Sequence, residues 1–153
     1  MSVDAMLAAL EAWAPVTALR QSAWGYPLAS WAHLLGLGLL FGAITVVDLR
    51  LAGGLRRLDR AAVLTSLVPL ALAGFALAAL SGLLLFAPAG REYLANPYFV
   101  AKFLCMALAG LNALGLHLAL RRSGTGKWLP AFGLASLLLW CAVIFAGRML
   151  AFG

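Results

Sequence analysis

Five ionisable residues stand inside stretches that are otherwise apolar: His33, Asp48, Lys102, His117 and Arg148, with Asn112 as a neutral companion. Each type brings its own chemistry. A neutral imidazole is a frequent ligand of haem iron and a proton carrier near neutral pH. The Asp48 carboxyl can, ionised, pair with an imidazolium or, protonated, pass a proton to an imidazole. Lysine and arginine cations can hold an anionic group, or run their stems through apolar surface to reach lipid headgroups. No phosphate loop, nucleophile elbow or close carboxylate pair occurs, so hydrolase chemistry has no support. Cys105 and Cys141 lack any metal-ligand spacing and read as small hydrophobes.

The segments that carry these residues belong in a bilayer. Of 153 residues, 65% are hydrophobic and 10% charged, with a mean hydropathy of +1.01, well above the apolar share of a water-soluble domain. Spanning a membrane takes about 20 apolar helical residues. Four stretches are long enough, at about 24–50, 61–87, 98–121 and 128–150. None alternates with period two, so they predict helices rather than barrel strands. The expected fold is an all-α bundle of four transmembrane helices in a single domain. Pro97 and Pro130 fall in opening helical turns, where a missing N–H costs little, whereas Pro69 falls inside the second span and predicts a kink. Before the first span, residues 3–14 set Leu7, Leu10 and Trp13 against Asp4 and Glu11, which predicts a short interfacial helix ended by Pro15.

Basic residues orient the spans. The first and third connections hold Arg50, Arg56, Arg57, Arg60, Arg121, Arg122 and Lys127, against only Arg20 and Arg91 on the opposite side. The positive-inside rule then puts those two loops in the cytoplasm and both termini outside. Contact with anionic lipid explains the net charge of +6 without nucleic acid.

At about 1.5 Å of rise per residue, His33 lies roughly 25 Å from Arg50, and Lys102 roughly 28 Å from Arg121. Those two share the outer level, and Arg148, roughly 30 Å beyond Trp128, joins them. Asp48 and His117 share the inner level, within about 6 Å of the basic loops. His33 to Asp48 and Lys102 to His117 are both separations of 15 residues, which return a side chain to within about 60° of its starting face. Each helix therefore carries its polar groups along one stripe, expected to face the interior.

Depth decides whether the two histidines can grip one iron. Opposed ligands stand on the order of 4 Å apart, while the depths of His33 and His117 differ by roughly 20 Å. Within one chain they cannot share a haem. His33 is the expected metal ligand, followed by Gly36, Gly38 and Gly42, which permit either a flat ligand or close helix approach. Lys102 and Arg148, with no carboxylate at their level, would hold propionates or else snorkel to headgroups. Asp48 and His117 form a possible inner polar pair, as a brace or a proton relay. A plain polar contact inside the bundle remains an alternative for His33.

These residues resemble a known group. The first-helix histidine, the basic loop, the proline-bearing second helix ending in GLLLF, and a third helix reading NPYFVAKFLCMALAGLNALGLH are similar to small bacterial membrane proteins related to HemJ-type protoporphyrinogen oxidase and CopD-like domains. The resemblance implies haem or porphyrin binding at the positions matching His33 and Lys102. The DLR at 48–50 and the AGR at 146–148 fall outside it and point to a sister family. The combined expectation is a protein that binds haem b near the periplasmic face and acts in electron transfer, as a redox subunit, a homo-oligomer or part of a larger membrane complex. A cofactor-free accessory or assembly subunit, or a small proton-linked transporter, is the alternative.

Overall fold

The computed structural model describes residues 2–122 and 126–152, and among these every regular element is helical. Two short helices, α1 (Val3–Glu11) and α2 (Ala14–Gln21), lead into α3 (Gly25–Leu51) and α4 (Arg60–Phe86). A 3-10 turn (Ala87–Ala89) and the six-residue α5 (Gly90–Ala95) precede α6 (Pro97–Arg122), and a second 3-10 turn (Gly126–Trp128) precedes α7 (Leu129–Met149). Helices α3, α4, α6 and α7 are long and apolar enough to cross a membrane. The all-α bundle with four spans is thus observed. It has two distinct ends: a terminal end, which holds α1, α2 and α5, and a basic-loop end opposite.

Local chemistry sets the boundaries. Ser2 Oγ accepts from Ala5 N at 3.3 Å to start α1, and Asp59 Oδ2 accepts from Ala62 N at 2.8 Å to start α4. Asn96 Oδ1 accepts from Tyr98 N at 2.9 Å, with Pro97 as the first residue of α6. Beyond α3 the chain turns at Gly53, whose φ of +94° is a conformation that glycine adopts without penalty. Two of the loop arginines serve the turn itself: Arg50 Nε donates to Leu58 O at 2.7 Å and Arg56 Nε to Gly53 O at 2.9 Å.

One expectation changes. The interfacial segment is two helices, because Pro15 lies in the first turn of α2, where a proline favours a fresh start. Helix α4 continues from Arg60 to Phe86 through Pro69, which lies on its exposed side.

Packing is uneven. Helices α3 and α4 run antiparallel in close contact, with Gly36 against Gly74 and Ala78. A Cβ on Gly36 would stand 2.5 Å from Ala78 N, and one on Gly74 2.5 Å from Leu40 N, so the backbones approach as only glycine allows. Helix α7 packs on α3 and on α6. Because α6 leans on α7 and not broadly on α3 or α4, a gap remains between α6 and the α3–α4 pair towards the terminal end. At the basic-loop end the interior is filled: Val47, Leu51, Val63 and Leu129 make a buried apolar cluster.

Candidate functional site

The gap is a cavity of about 360 Å³, within the size range of small-molecule sites. Four helices line it. His33 and Leu37 come from α3, Phe75, Gly82 and Phe86 from α4, Phe99, Lys102, Phe103 and Met106 from α6, and Trp140 and Val143 from α7. The wall is apolar and rich in aromatic rings, with Phe75 edge-on to Trp140 at 6.3 Å between centroids. His33 and Lys102 are its ionisable groups.

The imidazole of His33 is held by α4. Its Nδ1 lies 2.7 Å from Ala78 O, and a carbonyl oxygen only accepts, so Nδ1 carries the proton. Ser81 Oγ stands 3.4 Å from the same nitrogen and itself donates to Leu77 O at 2.5 Å. Gly82 makes room for the ring: a Cβ there would stand 3.1 Å from His33 Cε1. A neutral imidazole protonated on Nδ1 keeps its lone pair on Nε2, which has no partner among the described residues. This is the arrangement of metal-ligating histidines, whose second nitrogen is fixed by a backbone carbonyl.

Lys102 enters from the opposite wall. Its stem runs past Gly147 of α7, with Nζ 3.8 Å from where a Cβ would stand, and among the described residues no carboxylate pairs with it. The cavity therefore holds one imidazole lone pair and one uncompensated ammonium within apolar walls. A flat, mostly apolar molecule with a metal or hydrogen-bond donor at one point and an anionic group at another would satisfy both.

His33 and Lys102, which residue counting places at one level, both line this cavity. The expected third member does not join them. Arg148 is exposed at the end of α7, its guanidinium 4.7 Å over the ring of Phe152. Nor do Asp48 and His117 pair. Asp48 is 2% exposed on the face of α3 that meets α7, beside Ser136 and with Oδ2 lacking a hydrogen-bond partner, while His117 lies on the exposed side of α6. The reason is lateral: α6 abuts α7 rather than α3, so equal depth on α3 and α6 does not mean contact. Asn112, on α6, serves structure by donating to Phe132 O at 3.0 Å.

The aromatic wall has no signature in the sequence. Phe75, Phe86, Phe99, Phe103 and Trp140 carry no charge to draw attention, and only the separation of α6 from α4 brings them to one space. Among the described residues no group of three or more His, Cys, Asp or Glu side chains is placed to hold a bare metal ion. A single histidine suits instead an iron already held by a ring. No family model, curated protein or solved structure matches this chain.

Proposed function

We propose that the protein is a membrane-embedded carrier of a b-type haem, or a similar tetrapyrrole, that serves electron transfer, with the cavity between α6 and the α3–α4 pair as the binding site. The observation that carries this reading is the His33 ring, clamped through Nδ1 by Ala78 O so that Nε2 is left free in an apolar, aromatic-lined cavity. His33 would be the axial ligand and Lys102 the partner of a propionate, while Arg148 is left out because it faces away. When bound, such a group supplies one-electron transfer at its iron. The chain itself excludes water with Phe and Trp side chains, fixes the imidazole tautomer and neutralises an anionic edge.

The positive-inside bias favours a site near the periplasmic face of a bacterial inner membrane. A homo-oligomer, or a place in a larger complex, is supported by Gly38 and Gly42, which present a small-residue face four residues apart with nothing within 4 Å of either. An absorbance spectrum of the protein purified in mild detergent tests the reading. A Soret band at about one haem per chain is expected. A cofactor-free preparation that also refuses added haem favours an accessory subunit, the second reading, for which Asp48 and Ser136 bracing α3 on α7 would be the relevant polar feature.

A further inference from the structure

The terminal end of the cavity is closed by rings. Phe86 and Phe99, both lining residues, stack with centroids 5.5 Å apart. Tyr93 of α5, which does not line the cavity, lies over both, at 6.1 Å from Phe86 and 5.6 Å from Phe99, with its phenol near that of Tyr26 at the start of α3. Beyond this three-ring stack lies the aqueous end of the bundle, where α1, α2 and α5 sit.

A helix of six residues has too few internal bonds to hold itself in place. It packs on α6 and on α1, and α1 adds the polar contacts. Arg91 gives Glu11 three hydrogen bonds: its backbone N to Oε1 at 3.0 Å, its Nε to Oε2 at 2.9 Å and its Nη2 to Oε2 at 2.7 Å. This is the one ion pair among the described residues, and it joins segments 80 positions apart. Beside it, Leu7 of α1 and Phe86 of α4 both pack at Gly90, each about 3.1 Å from where a Cβ would stand. One contact chain therefore runs from the Glu11 carboxylate, through α5, to the rings that close the cavity. The outer side of α1 exposes Val3 and Met6, and the helix packs mainly on α5, on the 3-10 turn before it and on α2.

We propose that α5 is a gate between the cavity and water, with Tyr93 as its closing ring and the Glu11–Arg91 pair as its latch. Breaking the latch frees α1 and α5 together, and Tyr93 leaves the Phe86–Phe99 stack. Four long helices need not move. The gate concerns access to the cavity and does not depend on the occupant's being haem.

The test uses the full chain in lipid nanodiscs, with Cys105→Ala and Cys141→Ala and a single cysteine in the cavity wall, Leu37→Cys. The rate of its reaction with a charged, water-soluble thiosulfonate is followed. With the latch intact the reaction is slow. Glu11→Gln speeds it about five-fold, the scale of an exposed ion pair of fixed geometry, and Tyr93→Ala speeds it further. The exchanged pair Glu11→Arg with Arg91→Glu returns it towards the slow rate, which separates a latch from general damage. Equal rates in all four proteins, no reaction even in Tyr93→Ala, or a fast exchanged pair would each overturn the proposal.

Discussion

At the terminal end of the bundle His33 and Lys102 border a cavity of about 360 Å³, whereas at the basic-loop end Asp48 is wedged between α3 and α7 beside a filled apolar cluster. Both ends place ionisable groups in an apolar bundle, yet only one leaves space around them. The difference lies in helix spacing. Gly36 and Gly74 draw α3 onto α4 beside the cavity, and Gly133 draws α7 onto α3 beside Asp48, where a Cβ would meet Asp48 O at 2.6 Å. No comparable contact among the described residues draws α6 onto α4, and the resulting gap is the cavity. A polar residue inside a membrane thus marks a ligand site only where packing has left room for a ligand. Where packing is complete, there is no room for one.

The comparison breaks most severely at the α3–α4 contact. Gly36→Val forces the two backbones apart, and a cost of about 1–3 kcal/mol is expected from overpacking, read as a lowered melting point by circular dichroism in detergent. Ala78 would shift with α4, loosening the clamp on His33. Gly42→Val is the control: with open space beyond it, the fold should hold, and any loss should appear in self-association measured by analytical ultracentrifugation.

A smaller effect is expected from acid at the terminal end. The hydrogen bonds from the Arg91 side chain and backbone, with Coulombic help from Arg20, hold the Glu11 carboxyl below its ordinary range, and Glu11 in turn holds the Arg91 guanidinium above its own. Asp4 and Glu92 add to the raised value of Arg91. Since the Glu11 pKa is depressed in the folded state, the contact contributes fully above the unfolded value and is lost as pH falls through the folded one. Because only the thiolate reacts, cavity labelling is taken relative to an exposed control cysteine at the same pH; this ratio should be low and flat at neutral pH and rise only below the ordinary carboxylate range. In Glu11→Gln the acid rise should vanish.

At the basic-loop end the expected changes are smallest. Asp48→Asn keeps a side chain able to bond Ser136 and should alter the melting point by no more than about 1 kcal/mol equivalent. His117→Ala, on the exposed side of α6, should stay within about 0.5 kcal/mol. Neither should affect what the cavity binds, as judged by absorbance after adding haem.

Much of this is legible in the sequence, and what is not shares a cause. Helix number and approximate bounds follow from apolar length, and the common level of His33 and Lys102 follows from counting residues along antiparallel helices. Rotation and neighbourhood do not. Arg148 has the right depth but turns to Phe152, and His117 has the depth of Asp48 on a helix that is not its neighbour. Depth is a property of one helix, whereas contact depends on two. The split of the N-terminal segment is signalled by Pro15, which can end one helix or begin the next. That this segment is tied to α5 shows only in tertiary contacts, the Glu11–Arg91 pair across 80 residues and Leu7 at Gly90.

The most direct test of the central claim is a titration of haem into the purified protein, its His33→Ala variant and its His117→Ala variant, followed by the Soret absorbance. Saturation at one haem per chain in the parent and in His117→Ala, with saturable binding lost in His33→Ala, is the predicted result. Equal binding by all three proteins, or loss in both variants alike, would contradict it.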